Sequence, residues 1–439
     1  MIETLSDFKN LIDASVRLKR KLVKIYYMNK SLKRFLFIVG FHKTIEKHIK
    51  ALENLYFELI SVKKKNDKFV LKSEEGSEIL LDLMYEKQEL KKDLIFLRDG
   101  EHELLEYIIR KNKEYQKEFN DLKKAFSNFN TKHFNNFITD RDGTINNYCG
   151  LYMSSAQSLY NSIFISNFVK KHVKNLTIIT SAPLSGLLSL SVFPSKKVIL
   201  AGSKGREYFR GKIKTAYISP DKQESIKMLH NEIEELLSSD KYKKFKMIGS
   251  GFQEKFGQLT IARQDISNSI SKSESLNFLK IITSLVKKVD PQNEVFSIED
   301  TGLDVEIIAH STEGTSYDKS NGVNFLNSEL NLNLSKGVNI VSGDTMSDIP
   351  MIEECISLNE RTIPIFITSD NALRKKVKSK INNVVFISNP DSFVVMLDRL
   401  SRDFNLEPVI PSSPKIEKSI TKKKSSKKVT KTKKTTKKR

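Results

Sequence analysis

Four carboxylates occur as two close pairs, and each pair follows a short apolar run of the sequence. Asp140 and Asp142 come directly after one run, and Asp344 and Asp348 follow another at a spacing that suits the start of a helix. A single pair of this kind is more often a helix cap or part of a solvated loop. Two carboxylates held close together repel each other unless a cation lies between them. Oxygen ligands of this type suit Mg²⁺. The two pairs together therefore predict a magnesium site.

Two weaker polar features point to an anion beside these acids. Thr180 ends an apolar run and can donate its hydroxyl to a phosphate oxygen, although a threonine there is also typical of a helix N-cap. Lys319 precedes a predicted helix start, where backbone N–H groups also favour anions. A lone lysine is usually a solvated surface residue. The two features gain weight only because they accompany the carboxylate pairs.

The elements that must position these residues are short apolar runs separated by helix-length segments. This alternation is typical of parallel β-α-β units and predicts a doubly wound α/β core. Ligands bind at the carboxyl ends of such strands, so side chains at several strand ends meet at one edge of the sheet. The predicted strands are at 137–139, 176–180, 197–201, 338–342, 363–367 and 384–387.

Two regions depart from this alternation. Residues 204–309 show paired strands at 245–264 and 295–308 with a helix at 224–237, which predicts an inserted α+β domain. Residues 1 to about 130 carry apolar residues at helical intervals, which predicts an all-α N-terminal module broken near 63–78 before a later long helix. We favour intramolecular packing of these helices over a coiled coil that dimerises the protein.

Composition limits the class of protein. The formal net charge of +21 is uneven, because residues 413–439 contain thirteen lysines or arginines and one acid. This tail has no apolar periodicity and is predicted to be disordered. The two cysteines, Cys149 and Cys355, form neither a disulfide framework nor a zinc-site spacing. The start of the chain lacks a signal-peptide pattern, so we expect a cytoplasmic protein without a membrane partner.

The four polar features occur in the order of the four motifs of the haloacid-dehalogenase superfamily of phosphotransferases, which this chain resembles. The motifs are Asp-x-Asp-Gly-Thr at 140–144, the strand-end Thr180, Lys319, and Gly-Asp-x-x-x-Asp at 343–348. The resemblance implies that Asp140 is the nucleophile and Asp142 the general acid and base, with Thr180 and Lys319 binding phosphate. It also implies that Mg²⁺ is the cofactor. The implied metal residues are Asp140, Asp142, Asp344 and Asp348.

Within that superfamily the chain resembles the trehalose-6-phosphate phosphatases, especially the nematode type. The segments that carry this resemblance are 138–144, 180–184, 202–207, 248–255, 304–306, 321–323 and 343–351. The chain departs from common members in having Gln253 where they have a glutamate, and Ser320 after the motif lysine. The resemblance implies Mg²⁺-dependent hydrolysis of trehalose 6-phosphate through an aspartyl-phosphate. The implied sugar contacts are Arg206, Glu207, Gln253, Lys255, Glu306 and Asn321.

The predicted fold is thus an α/β, haloacid-dehalogenase-like core with an inserted α+β cap, preceded by an all-α module. Its parts are a helical module at 1–132, a core at 133–203 and 311–405, a cap at 204–310 and a Lys-rich tail at 406–439. One alternative is another sugar-phosphate phosphatase or phosphomutase of the superfamily. An alternative of a different class is a polyanion-binding protein that uses the tail. We expect a sugar phosphate as the main partner, with homo-oligomerisation through the N-terminal helices and weak polyanion contact as further possibilities.

Overall fold

The computed structural model describes residues 2–31, 39–65, 68–72, 76, 78–194, 198–265, 268–311 and 314–402. The predicted tail at 406–439 and the predicted core end at 405 lie outside the described residues. Within these ranges no helix is both long and apolar enough to cross a lipid bilayer.

The N-terminal module is mainly helical, as predicted. Its elements are α1 (Leu5–Ser31), α2 (Val39–Ile60), β1 (Lys64–Lys65), β2 (Lys68–Lys72), β3 (Glu78–Leu81), α3 (Met84–Arg98), α4 (Glu101–Ile109) and α5 (Tyr115–Ser127). The apolar residues that recur at helical intervals are buried, among them Leu104, Phe119 and Phe126. The intramolecular packing that we favoured for these residues is therefore confirmed.

Two details of this module correct the prediction. The module is not purely α, because β1, β2 and β3 form an antiparallel sheet. The strands are too short for their alternation to stand out in a polar stretch of sequence. The predicted long helix is three helices, because Gly100 takes a φ of 95° before α4 and the chain turns again between α4 and α5.

The core resumes the predicted alternation. Its first part contains β4 (Phe134–Thr139), α6 (Leu159–His172), β5 (Val173–Ile179), α7 (Leu184–Leu190), β6 (Val198–Gly202), β7 (Glu207–Phe209) and β8 (Ile213–Thr215). The cap contains α8 (Pro220–Ser238), β9 (Phe252–Lys255), β10 (Gln258–Ala262), α9 (Lys272–Val289), β11 (Phe296–Asp300) and β12 (Asp304–Ala309). The core then ends with α10 (Lys319–Leu330), β13 (Asn339–Gly343), α11 (Ile349–Leu358), β14 (Thr362–Ile367), α12 (Asn371–Lys378), β15 (Val385–Ile387) and α13 (Pro390–Arg402).

An eight-stranded sheet organises the core in the order β15-β14-β13-β4-β5-β6-β7-β8. The first six strands are parallel, and β7 and β8 join the edge antiparallel. The predicted cap boundary at 204 is therefore too early, since β7 and β8 belong to the core sheet. We place the start of the cap after Thr215. The exposed residues of β8 give little strand signal because this strand lies at the sheet edge.

The N-terminal module shares its hydrophobic core with one face of this sheet. Phe137 of β4 belongs to one apolar cluster with Ile12 and Phe119 of the module, whereas its neighbour Ile138 belongs to the cluster on the opposite face. Successive strand residues point to opposite faces, so both faces of β4 are buried. The module is thus packed as a layer of the core.

Candidate active site

Three neighbouring strands of the core sheet end at the same place and carry the predicted site residues. Asp140 follows β4, Thr180 follows β5, and Asp344 follows β13. Because β13, β4 and β5 are adjacent and parallel, their carboxyl ends lie together. All three side chains line one cavity of about 280 Å³, together with Asp142 and Lys319.

Lys319 joins the two carboxylate motifs. It is the first residue of α10 and is 3% exposed. Its Nζ donates to Asp140 Oδ1 at 2.5 Å and to Asp348 Oδ1 at 2.5 Å. The helix start is fixed by a capping box, in which Asp318 accepts from backbone N–H groups and donates its own N–H to Asn321 Oδ1. This capping of the α10 N-terminus positions the Lys319 ammonium group in the site.

Asp344 lies close to Asp140, and no lysine or arginine among the described residues forms an ion pair with it. The Thr144 hydroxyl donates to Asp344 Oδ1 at 2.9 Å and lies 3.3 Å from Asp140 Oδ2. Gly143 has a φ of +88°, and a Cβ added there would lie 2.1 Å from Asp344 Oδ2. Only glycine therefore fits the position after the second aspartate of the first motif.

The carboxylates of Asp140, Asp344 and Asp348 form a compact group whose ligand atoms lie within 4.8 Å of one another. Burial raises the pKa of Asp140 to about 7 against the opposing effect of Lys319, and burial also raises the pKa of Asp344 well above its usual range. One ammonium group thus faces a group of three carboxylates, of which Asp140 and Asp348 are buried and Asp344 is half-buried. This excess of negative charge and the oxygen donors fit a divalent cation of the Mg²⁺ type.

Asp142 is held by a ring of donors that the sequence did not reveal. Arg141 Nη1 donates to Asp142 Oδ1 at 2.6 Å, and Ser155 Oγ donates to the same oxygen at 2.7 Å. Asn146 Nδ2 approaches it at 3.3 Å. Arg141 stands between the two aspartates of the first motif, and this position is the one sequence signal that could have marked it as a partner of Asp142. Ser155 carries no sequence signal for this contact.

The cap supplies the opposite wall of the cavity. Strand register places Gln253, Thr260 and Glu306 in one row across β9, β10 and β12, and all three line the cavity. Their neighbours Leu259 and Ile261 belong to the apolar cluster on the helical side of the cap. The cap sheet therefore presents its polar face to the strand ends of the core.

Further polar groups accompany this row. Lys255 also lines the cavity, and burial lowers its pKa. Lys204, which we did not predict, pairs with Glu306 at 2.9 Å and with Glu299 at 3.1 Å. Asp304 lines the cavity with a pKa that burial raises to about 6. Lys204 lies within a segment that carries the family resemblance, but a buried ion pair to the cap has no sequence signature.

Three predicted sugar contacts do not line this cavity. Arg206 is buried, donates to the backbone carbonyls of Gly257 and Ala309, and stacks on the Tyr317 ring. Glu207 accepts from the backbone N–H of Leu184 and from the Ser203 hydroxyl. The contacts of Arg206 join the core to the cap, and those of Glu207 lie within the core.

Asn321 is the third predicted sugar contact that does not line the cavity, and its side chain takes part in the capping box at the N-terminus of α10. Asp348 does not line the cavity either, but Lys319 connects it to Asp140. Its other oxygen accepts from the backbone N–H groups of Asp344 and Thr345, and Lys319 lowers its pKa although burial opposes this. Asp348 therefore supports the site from behind.

Comparisons with known proteins agree with this arrangement. The family model described as trehalose-6-phosphate phosphatase, C-terminal, matches residues 137–393, more than half of the chain. The chain is 29% identical over 330 residues to an alpha,alpha-trehalose-phosphate synthase [UDP-forming] 2 of Aphelenchoides avenae, covering 71% of this chain and 25% of that protein. It is 30% identical over 267 residues to a trehalose-phosphatase of Brugia malayi, covering 58% of this chain and 54% of that protein.

Among solved structures, the C-terminal domain of trehalose-6-phosphate phosphatase from C. albicans matches with a TM-score of 0.46 and 12% identity. The match covers 63% of this chain and 96% of that chain. The chain spans about a quarter of the first curated relative and about half of the second. The region matched by the family model contains all four predicted motifs and the cap, which confirms the predicted resemblance. The chain belongs to the trehalose-6-phosphate phosphatase family.

Proposed function

We propose that the protein hydrolyses trehalose 6-phosphate to trehalose and phosphate, with Mg²⁺ as cofactor and an aspartyl-phosphate as intermediate. The observation that carries this proposal is the shared cavity. Asp140 lies at the carboxyl end of β4 beside Lys319 and Thr180, and the polar face of the cap sheet lines the same space. A phosphate at Asp140 thus has a place beside it for a polyhydroxylated leaving group.

In the first step, Asp140 attacks phosphorus and the bond from phosphorus to the sugar oxygen breaks. Lys319 and Thr180 donate to the phosphoryl oxygens, while Asp142 gives its proton to the departing oxygen of the sugar. In the second step, Asp142 takes a proton from water as that water attacks phosphorus. The acyl phosphate bond breaks, phosphate leaves, and the Asp140 carboxylate is restored.

A bound Mg²⁺ would be held by Asp140, Asp344 and the backbone carbonyl of Asp142, with Asp348 beside them, and it would neutralise charge on the phosphoryl oxygens. The protein groups keep separate tasks. Arg141 and Ser155 hold the Asp142 side chain, and Gly143 leaves the space that Asp344 occupies.

We assign sugar selection to Gln253, Lys255 and Glu306, which line the cavity from the cap. A disaccharide offers hydroxyl groups, and amide, ammonium and carboxylate groups can pair with them. Lys204 extends this set through its ion pair with Glu306. Arg206, Glu207 and Asn321 are not part of the proposed sugar site, because each is engaged in contacts that hold the fold.

A phosphate-release assay tests the proposal. Trehalose 6-phosphate, sucrose 6-phosphate, glucose 6-phosphate and mannose 6-phosphate should be compared with Mg²⁺ present and then with the metal chelated. We expect preference for trehalose 6-phosphate and loss of turnover on chelation. Preference for a different sugar would support the alternative of another phosphatase or phosphomutase of the superfamily.

The Asp140→Asn variant tests the nucleophile in the same assay. It preserves volume, so turnover should fall below about one percent of the wild type while the melting temperature is retained. Asp240→Asn is the control, because the side chain of Asp240 is 97% exposed. Retained turnover in the Asp140 variant would contradict the covalent mechanism. The cytoplasmic location, homo-oligomerisation and polyanion contact of the tail stay predictions.

A further inference from the structure

Helix α3 of the N-terminal module contacts the loop at 140–158, which connects β4 to α6 and contains Asp142. The Tyr85 side chain accepts a hydrogen bond from Asn146 Nδ2 at 2.8 Å and donates to the Ala156 carbonyl at 3.0 Å. Asn146 is itself a donor to Asp142, and Ala156 follows Ser155, the other loop donor. Tyr85 is therefore linked to the carboxyl group of Asp142 by two routes, one through Asn146 alone and one through Ala156 and Ser155.

The same helix clamps this loop at further points. Glu86 accepts from the Ser154 hydroxyl, and Glu89 accepts from the Ser158 hydroxyl and from Asn147 Nδ2. The loop is thus tied to α3 at residues 146–147 and again at 154–158. These acids are almost completely buried, so their hydrogen bonds are made out of contact with bulk water.

A buried ion-pair cluster fixes α3 to the core. Lys92 Nζ contacts Glu89 at 2.6 Å and Asp391 at 2.7 Å, and Asp391 belongs to the first turn of α13. Asn147 Nδ2 donates to Asp391 at 2.7 Å as well as to Glu89. The helix, the loop and α13 are therefore held as one unit.

We propose that α3 is a positioning element for the reaction, and that Tyr85 is a positioning residue that sets the orientation of Asp142 through Asn146 and the 155–156 backbone. This inference rests on the proposed role of Asp142 as acid and base. It assigns the N-terminal module a part in proton transfer. The hydrogen bonds described above connect α3 to Asp142, and they do not lead to Asp140, Thr180 or Lys319.

Tyr85→Phe tests the proposal because it removes only the hydroxyl group. The kcat/KM for trehalose 6-phosphate should fall about tenfold, since the departing sugar oxygen needs a proton from Asp142. The kcat/KM for p-nitrophenyl phosphate should stay within about twofold, since its leaving group is a stable anion and this parameter reports steps through phosphorylation. A purely structural role of Tyr85 would affect both substrates alike.

Tyr27→Phe is the matched control. Tyr27 of α1 also bonds the core, donating to the Ile163 carbonyl at 3.1 Å, but it does so at α6 and away from the Asp142 loop. The kcat/KM of the Tyr27→Phe variant for both substrates should stay within about twofold of the wild type. An equal loss in the two tyrosine variants, or no loss in Tyr85→Phe, would overturn the proposal.

An Asp142→Asn background separates this inference from the proposed function. Asp142→Asn alone should lose activity on trehalose 6-phosphate far more than on p-nitrophenyl phosphate, and adding Tyr85→Phe should change neither by more than about twofold. A further loss in the double variant would overturn the role of Tyr85. If Asp142→Asn by itself lacks this dependence on the leaving group, the proposed role of Asp142 fails instead.

Discussion

Two buried lysines occupy similar surroundings in this molecule, and their differences separate catalysis from structure. Lys319 lies between Asp140 and Asp348 at the strand ends, and Lys92 lies between Glu89 and Asp391 where α3 of the N-terminal module meets α13. Both lysines are almost completely buried. Each lysine would be costly to bury alone and is stabilised by two carboxylates.

The carboxylates differ in how far their oxygens are satisfied. Around Lys92, both oxygens of Asp391 and Oε1 of Glu89 accept from the ammonium, while Asn147, Ser158 and Tyr160 supply the remaining donors. At the other lysine, the hydrogen bond that the described part of the chain gives to Asp140 Oδ2 is a long contact of 3.3 Å from Thr144, and the carboxyl group faces a cavity.

The carboxyl groups beside the two lysines also differ in the direction in which their pKa values are shifted. Although burial opposes it, Lys92 lowers the pKa of Asp391, whereas burial raises the pKa of Asp140 to about 7. A buried ion pair is therefore structural where its acceptors are saturated. The Lys319 pair can take part in a reaction, because one oxygen of Asp140 faces a cavity and a third carboxylate, Asp344, adds negative charge.

The largest expected effect is on catalysis at Lys319. Lys319→Met removes the donor to the phosphoryl oxygens, so kcat should fall at least about a thousandfold, equivalent to roughly 4 kcal/mol of transition-state stabilisation. The loss should be similar for trehalose 6-phosphate and an aryl phosphate, because both present the same phosphoryl group. Steady-state kinetics with Mg²⁺ measure it. A loss confined to the sugar phosphate would place Lys319 among the groups that select the sugar.

The same substitution at the other lysine should act on stability. Lys92→Met leaves Glu89 and Asp391 without their cation, so the free energy of unfolding should fall by about 3 to 4 kcal/mol. Urea unfolding followed by circular dichroism measures the change. Lys117→Met is the control, because the Lys117 side chain is 76% exposed and lies 3.9 Å from Glu114. A stability loss no larger than that of the control would contradict the structural role of the cluster.

Glu86 provides a pH test of the same interface. Burial raises its pKa from 4.5 to about 7. Between these values the folded protein binds more protons at this site than the unfolded chain, so the contribution of Glu86 to stability falls as pH rises from about 5 to about 7.

Glu86→Gln removes this titration, and its stability relative to the wild type should rise between pH 5 and pH 8 by on the order of 2 kcal/mol. Urea unfolding of both proteins at the two pH values gives the difference directly. Other groups titrate alike in the two proteins and cancel. A difference that does not change with pH would show that Glu86 is ionised in the folded state at low pH.

The smallest expected effect concerns the cap. Glu306→Ala and Lys255→Ala should each lower kcat/KM for trehalose 6-phosphate by about tenfold, roughly 1.4 kcal/mol, with little change for a small aryl phosphate that does not reach the cap. Glu299→Ala is the matched control, because Glu299 also pairs with Lys204 but does not line the cavity. Loss on both substrates would indicate damage to the fold or a direct role in phosphate chemistry.

Local pattern in the sequence was sufficient for the six parallel strands of the core and for the motif residues at their ends, but not for β7 and β8 at the sheet edge. A buried parallel strand is a short apolar run, and the side chain that follows it lies at the sheet edge whatever the distant partners are. For this reason the local pattern alone predicts Asp140, Thr180 and Asp344 at one edge of the sheet. In the polar row of the cap, by contrast, Gln253 and Glu306 were predicted only through the family resemblance, and Thr260 was found only in the structure.

Only the tertiary structure decided which charged residues are buried and what they contact. Lys92 and Asp391 are 299 positions apart, and α3 looks like a surface helix because its buried face includes Glu86, Glu89 and Asp93. Arg206 carries the family resemblance in sequence, yet its guanidinium holds backbone carbonyls at the junction of core and cap. The sequence by itself thus determined the strand ends and their chemistry, because these depend on local periodicity. The burial of charge depends on partners from remote segments, which only the folded chain brings together.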